Sequence, residues 1–281
     1  MLKYSLCFKI HRGMVIMKLL TLNCHSWHEE HQLDKIGHLA DTIIENSYDV
    51  ISLQEVSQPI AEDYVDGNVK RNNYVYVLIQ ELKKRGNDEY SMVWDLTHYI
   101  KNRTYEEGVA ILTKHPIIQH HSFFVSQSED YAVNWKTRRI IGATIKYEDK
   151  PYTFYSCHMG WWHDEVEPFK VQADKMFKKL NWDEHFFLMG DFNNDVSLKG
   201  EGYEYLLSHG LYDTYNLAEE KDEGITVKGK IAGWSNNKQD LRIDLILTNQ
   251  PVQVDFSRVI FNNHNKMVVS DHYGVEAKVT L

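Results

Sequence analysis

Apolar positions along the chain fall into short runs broken by polar, Gly- and Asn-bearing stretches, a pattern of many buried strands. Strands are predicted over 18–24, 50–53, 91–96, 108–112, 117–124, 139–147, 152–157, 185–189, 243–247, 252–260 and 273–279. Between some of them the period lengthens to that of a helix. Residues 33–45 set Leu33, Ile36, Ala40, Ile43 and Ile44 on one stripe. Residues 74–84 and 167–180 look similar, and 203–208 predicts a shorter helix. No repeat, low-complexity tract or Pro/Gly-rich linker divides the chain, which predicts one α/β domain over 17–281. Residues 1–16 read as an extension or a start-site artefact, since Met14 and Met17 both stand where the regular pattern begins. The acidic stretch 219–223 is expected to be a solvated loop.

Composition narrows the class. At 281 residues with 43% hydrophobic side chains and seven tryptophans, the chain can bury a sizeable core. The net charge of −9 argues against a binder of long nucleic acid, which needs a basic face for phosphates. Near the N-terminus, Lys9, His11 and Arg12 break what would have to be the apolar core of a signal peptide. No run approaches the roughly 18 apolar residues of a membrane span, so a cytoplasmic protein without membrane attachment is expected. Three cysteines without CxxC spacing (Cys7, Cys24, Cys157) fit a reducing compartment.

Several predicted strands end in residues able to do chemistry. Met189-Gly190-Asp191-Phe192-Asn193 puts a carboxylate and an amide on one face of an extended segment, where they could orient a water and hold an anionic oxygen. Gly, Asp and Asn are equally the residues of an ordinary turn. Glu55 follows the strand ending at Leu53 and could ligate a hard cation or act as a helix N-terminal acid. Asn23 ends the first strand, and His158 ends the strand at Cys157. Asp244 lies inside an apolar strand and needs a partner. Ser270-Asp271-His272 supplies an imidazole that such an acid would hold in one tautomer. Each motif alone has a structural explanation; their co-occurrence, in this order, points to an active site along one rim.

These segments together resemble the endonuclease/exonuclease/phosphatase superfamily of divalent-metal phosphoesterases. The matching pieces are TLNCHSW, LQEV, EEGVAILTKHPI, SCHMG, MGDFNN, RIDLIL and SDHYGV, spread over nearly the whole chain. The fold implied is a four-layer α/β sandwich, two packed mixed β-sheets flanked by helices. The segments KLLTLNCHSWHEEHQLDKI and SCHMGWWHDEVEPF further resemble the maltose 6'-phosphate phosphatases of Gram-positive bacteria.

The resemblance implies a site that uses Mg²⁺ or Mn²⁺, with Glu55 as ligand and Asn23 and Asp271 assisting. It implies that Asp191 orients or deprotonates the attacking water and that Asn193 holds a phosphoryl oxygen. His158 and His272 would donate hydrogen bonds to the phosphoryl group, with Asp244 holding His272 in place. Whether Asp191 or His272 is the general base is left open. Arg103 and Tyr105, and Arg138 or Arg139, are further candidates for phosphate binding. His25 and Trp27 follow Asn23, and Trp161, Trp162 and His163 follow His158, so these aromatics are expected at the mouth of the site, where indoles stack on sugar rings. The expected substrate is a small sugar phosphate. The alternatives are a nuclease, a sphingomyelinase-like phosphodiesterase and a non-catalytic binding module, the last disfavoured because every expected catalytic position is filled.

Overall fold

In the computed structural model, which describes residues 15–130, 132, 134–231 and 233–281, side-chain alternation along the strands decides the layers. The elements in chain order are β1 (Ile16–Asn23), α1 (Gln32–Asn46), β2 (Val50–Pro59), β3 (Tyr64–Asp66), β4 (Val69–Lys70), α2 (Tyr74–Lys84), β5 (Ser91–Ile100), β6 (Tyr105–Thr113), β7 (Ile117–Phe124) and β8 (Arg139–Tyr147). They continue with β9 (Lys150–His158), α3 (Phe169–Lys179), β10 (Phe186–Asp191), α4 (Gly202–Ser208), β11 (Tyr212–Asp213), α5 (Thr214–Leu217), β12 (Ala218–Lys221), β13 (Asp244–Thr248), β14 (Gln253–Ile260) and β15 (Gly274–Thr280). One sheet runs β12-β14-β15-β1-β2-β6-β5 and the other β11-β13-β10-β9-β8-β7, each mixing parallel and antiparallel pairs.

Along β1 and β2, Leu20, Leu22, Ile51 and Leu53 point to the face covered by α1 and α2. Met17, Leu19 and Val50 point the other way, into a layer shared with Phe154, Phe187, Met189 and Ile246 of the second sheet. The outer face of that sheet carries Leu188, Leu245 and Leu247 beneath Phe169, Ala173 and Met176 of α3. Strands buried on both faces are apolar throughout, and the result is the four-layer sandwich.

The expected stripe on α1 is shifted. Ile36, Leu39, Ala40 and Ile43 are buried, while Leu33 is 67% exposed. Gln32 is buried beside it, its side-chain oxygen accepting the Trp27 N–H at 2.8 Å. Residues 218–221 form the edge strand β12 rather than a loop, with Glu219 and Glu220 exposed as edge charges. Ile16, assigned to the extension, is the first residue of β1 and pairs with Thr280. Val15, also assigned to it, is buried, its carbonyl accepting the Leu281 N–H at 2.8 Å, and residues 1–14 lie outside the described residues. Among those described, no helix is long and apolar enough to cross a membrane.

Candidate active site

Three neighbouring strands of the second sheet end level with one another. Asp191, the last residue of β10, pairs with His158 of parallel β9 on one side and with Asp244 of antiparallel β13 on the other. Gly190 permits the close approach of β9 and β10: it sits at φ +152°, and a Cβ there would lie 1.9 Å from the Cys157 carbonyl oxygen. In the first sheet, Asn23 ends β1 opposite Gln54 of β2. The register of β2 against β6 slips between Leu53 and Val56, and Glu55 takes φ 52° at that slip. A bulge re-aims the side chain it carries; here it turns Glu55 into the cavity between the sheet ends. Buried polar ties hold the two sheets at this end. Gln54 donates to Ser156 at 3.1 Å, Ser156 to the Leu53 carbonyl at 2.9 Å, and Ser52 to the Met189 carbonyl at 3.0 Å.

Asp191 Oδ2 is the hub of the cluster. Asn23 Nδ2 donates to it at 3.1 Å and to Glu55 Oε1 at 3.0 Å, bridging the two carboxylates. Asn193 Nδ2 reaches Asp191 Oδ2 at 3.3 Å, and His158 Nε2 and His272 Nε2 approach to 3.7 and 3.8 Å. His272 Nδ1 lies 2.9 Å from Asp244 Oδ2, within hydrogen-bond reach. Asn193 is less free than expected for a phosphoryl-oxygen donor. Its amide nitrogen also donates to the Met159 carbonyl at 3.0 Å, and its oxygen accepts the Trp234 indole N–H at 2.9 Å.

The electrostatics follow from burial and crowding. Burial, then the charge of Asp244, pushes Asp191 up to about 7. Burial, with the charges of Glu107 and Asp271, raises Glu55 to about 8. His272 is buried, which opposes protonation, but Asp244 and Asp191 outweigh that and raise it to about 10. His158 goes the other way: burial, then the nearby charges of Arg138, His98 and His272, hold it well below the ordinary imidazole value. The surroundings therefore favour the charged form of His272 and the neutral form of His158.

The cavity holds about 250 Å³ and is lined by Glu55, His158, Asp191, Asn193 and His272 together with His25, Trp161 and Arg138. Its other walls, His28, His98, Ile100, Glu107, Trp135 and Gly233, carried no role in the sequence reading. Of these, Glu107 was the legible one, an acid just before the strand glycine Gly108. His98 pairs with it at 3.1 Å, an encounter across two strands that no local pattern shows. Four buried polar atoms on lining residues have no hydrogen-bond partner: His28 Nε2, His98 Nδ1, Arg138 Nε and Trp161 Nε1.

Other expected residues lie elsewhere. Trp27 turns away from the cavity, donating to the Ser57 carbonyl at 3.1 Å and meeting Tyr74 edge-on. Trp162 packs on Phe169 of α3 and Tyr205 of α4, from a turn in which the Asp164 N–H donates to the Trp161 carbonyl at 3.3 Å. Exposed His163 pairs with Glu201. Arg103 is exposed and donates to the Ala132 carbonyl, and Tyr105 does not line the cavity. Arg139 pairs with Asp95. Asp271 stands beside His25, at 3.6 Å, and its charge reaches Glu55.

The donors present suit a hard divalent cation. Glu55 and Asp271 offer carboxylate oxygen, while Asn23 turns its Nδ2 to Glu55 and its oxygen accepts the His25 backbone N–H at 3.2 Å; a cation at Glu55 would relieve the crowding that raises it. Two further groups bring three potential ligand atoms within 4.8 Å: His25, Glu29 and Asp271, and Asp191, Asp244 and His272. In the first, Glu29 already pairs with Lys35 at 2.6 Å; in the second, the ring nitrogen His272 Nδ1 is taken by Asp244.

The chain belongs to a family of hydrolases, the endonuclease/exonuclease/phosphatase family, whose model matches residues 20–272. Members of this family are hydrolases that generally depend on a divalent metal. A family protein from Leptotrichia buccalis is similar at 39% identity with a TM-score of 0.87, covering 94% of this chain and all of that one. A mannosyl-6-phosphatase from Bacteroides thetaiotaomicron shares the fold at 16% identity and a TM-score of 0.66, covering 94% of this chain and 100% of that one. TDP2 from Caenorhabditis elegans shares it at 16% identity and 0.63, covering 95% and 75%. No curated protein matches the chain.

Proposed function

We propose that the protein is a divalent-metal-dependent phosphomonoesterase of sugar phosphates, working in the cytoplasm, with maltose 6'-phosphate as the substrate its sequence resemblance favours. The observation that carries this reading is the charge of the cavity. Among its lining residues, Arg138 is the one Lys or Arg, and its buried Nε has no partner. A polyanionic strand needs a run of cations, whereas one arginine suits one phosphoryl group. The mannosyl-6-phosphatase of this fold supports a sugar phosphate.

A divalent cation held by Glu55, with Asn23 and Asp271 assisting, would neutralise phosphoryl charge and polarise its oxygens. The chain's own residues supply the rest. Asp191, aimed by Asn23 and Asn193, orients the attacking water in line with the scissile bond and takes its proton. His272, held as a cation by Asp244, donates to a phosphoryl oxygen, as does neutral His158. Asn193 sits beside Asp191, its free capacity reduced by Met159 and Trp234. Trp161 and His25 face whatever carries the phosphate.

The test is a substrate panel assayed with Mg²⁺ and with excess chelator: mono- and disaccharide phosphates, nucleotides, single-stranded DNA and sphingomyelin. Release of inorganic phosphate from a sugar phosphate, silenced by chelator, is expected. Faster cleavage of DNA or of sphingomyelin would replace the reading with a phosphodiesterase, and full activity in chelator would end the metal mechanism.

A further inference from the structure

Trp135 has no part in the chemistry above, yet the residue is 54% exposed at the edge of the site. Trp135 and Ile100 line the catalytic cavity. The same two side chains line a neighbouring cavity of about 540 Å³, walled by Lys101, Asn102 and Arg103. These three form the tip between β5 and β6, all at positive φ (49°, 54° and 63°), which fixes the tip as a tight turn.

The backbone that carries the indole is tied down. The buried guanidinium of Arg138 donates to the Trp135 carbonyl at 3.2 Å, so the catalytic cavity's own arginine anchors the backbone beneath it. Trp161 meets the ring edge-on, with centroids 6.4 Å apart. Arg103 donates to the Ala132 carbonyl at 2.6 Å, tying the tip to the Trp135 loop. Lys136 Nζ lies over the ring, 5.7 Å from its centroid. An exposed aromatic that lines two neighbouring cavities is placed to stack on a ring that crosses from one to the other.

We infer that Trp135 determines specificity: the part of the substrate beyond its phosphorylated ring crosses the Trp135 indole into the cavity under the 101–103 tip. This rests on the sugar-phosphate reading and extends it to substrates of more than one ring. The lining of the second cavity combines apolar surface with hydrogen-bond donors, the pattern that a saccharide ring takes. Its two cations each spend part of their reach within the chain, Lys101 over the Tyr105 ring at 5.7 Å and Arg103 on the Ala132 carbonyl. Asn102 and the donors of both cations suit hydroxyl groups, while Ile100 and the indole suit the apolar face of a sugar.

The experiment compares kcat/KM for glucose 6-phosphate and maltose 6'-phosphate in the wild type, Trp135→Ala and Trp135→Phe. On the scale of base stacking on an aromatic, the two-ring to one-ring efficiency ratio should fall roughly five- to 150-fold in Trp135→Ala. Trp135→Phe should recover most of it. An unchanged ratio in Trp135→Ala overturns the proposal while leaving the sugar-phosphate reading intact. A wild type that hydrolyses neither sugar phosphate overturns both. A wild type that prefers a sugar bisphosphate over both substrates, with Lys101→Ala abolishing that preference, assigns the second cavity to an anion and also overturns the proposal.

Discussion

Replacing Gly190 by alanine inserts one methyl group at the seam between the two strands that carry His158 and Asp191. Its carbon would lie 1.9 Å from the Cys157 carbonyl oxygen and 2.8 Å from the carbonyl carbon, against 3.4 Å for ordinary contact. The strands must part by about 1.5 Å where parallel neighbours normally lie about 4.8 Å apart. Overpacking of this kind costs about 1–3 kcal/mol. The φ of +152° is one that essentially only glycine adopts, which adds about 1–3 kcal/mol. Together that is about 2–6 kcal/mol, a large part of the 5–15 kcal/mol typical of a folded domain. Urea unfolding followed by circular dichroism and tryptophan fluorescence measures the loss. Phosphatase activity, measured where the variant is still folded, should also drop, because Asp191 follows the strained residue and faces His158 across the seam. Gly190→Ala unfolding within about 1 kcal/mol of the wild type, below the smallest estimate, with full activity, would show that the strands are not in this close register.

Glu55→Gln keeps the shape of the bulged residue and removes its charge; activity should fall by orders of magnitude with an unchanged circular dichroism spectrum, and Mg²⁺ titration should show weakened metal response. Asp244→Asn should lower kcat by up to about four orders of magnitude, as for the orienting acid of a catalytic triad, with KM little changed; steady-state kinetics on one sugar phosphate separates the two. Asp49→Asn addresses stability far from the site. Its carboxylate accepts from the Lys18 N–H at 2.7 Å and from His115 at 2.8 Å, with Lys114 at 3.1 Å. Burial alone would raise Asp49, but these partners hold it below the ordinary carboxylate value. Its stabilisation is therefore complete above the unfolded value near 3.9 and is lost as pH falls through the folded one. At pH 7 the variant should lose about 1–3 kcal/mol, and below pH 4 the difference from wild type should shrink; urea midpoints at several pH values read this directly.

Much of the site was legible because a polar side chain stands where an apolar run stops, as at Asp191 and His158, or within one, as expected for Asp244, which the structure makes the first residue of β13. Asp191, His158 and Asp244 are neighbours because β9, β10 and β13 end level, and each could be picked out from its own run. The alternation of strand and helix periods made the α/β class legible, while the four layers were implied by the family resemblance; the structure gives their reason, strands apolar on both faces that need cover on both sides. The short strands β3, β4 and β11 carry too few residues for a period to show. The helix stripe placed Leu33 inside by spacing alone, whereas the first turn of α1 buries Gln32 instead. His98 and Glu107 meet only across the β5–β6 pair, whose register slips between Leu96 and His98. Trp135 and Gly233 arrive from loops far apart in the chain, and nothing local marks them as neighbours of Trp161. In the pair Trp161-Trp162, alternation required opposite faces but could not say which tryptophan would face the cavity.

Asp191, His158, Asp244, Asn23 and Glu55 are fixed by the hydrogen-bond ladders of two sheets and by polar ties between them. Trp135, Trp161 and Gly233 belong to connections outside those ladders. Heritable change can therefore act on the two groups separately. An exchange of Trp135 or Trp161 changes the cavity wall alone, whereas Arg138, Met159 and Trp234 tie their own segments to the cavity or to Asn193. A lineage built on this scaffold can acquire new substrates through its loops, while a change at the strand ends risks the reaction itself.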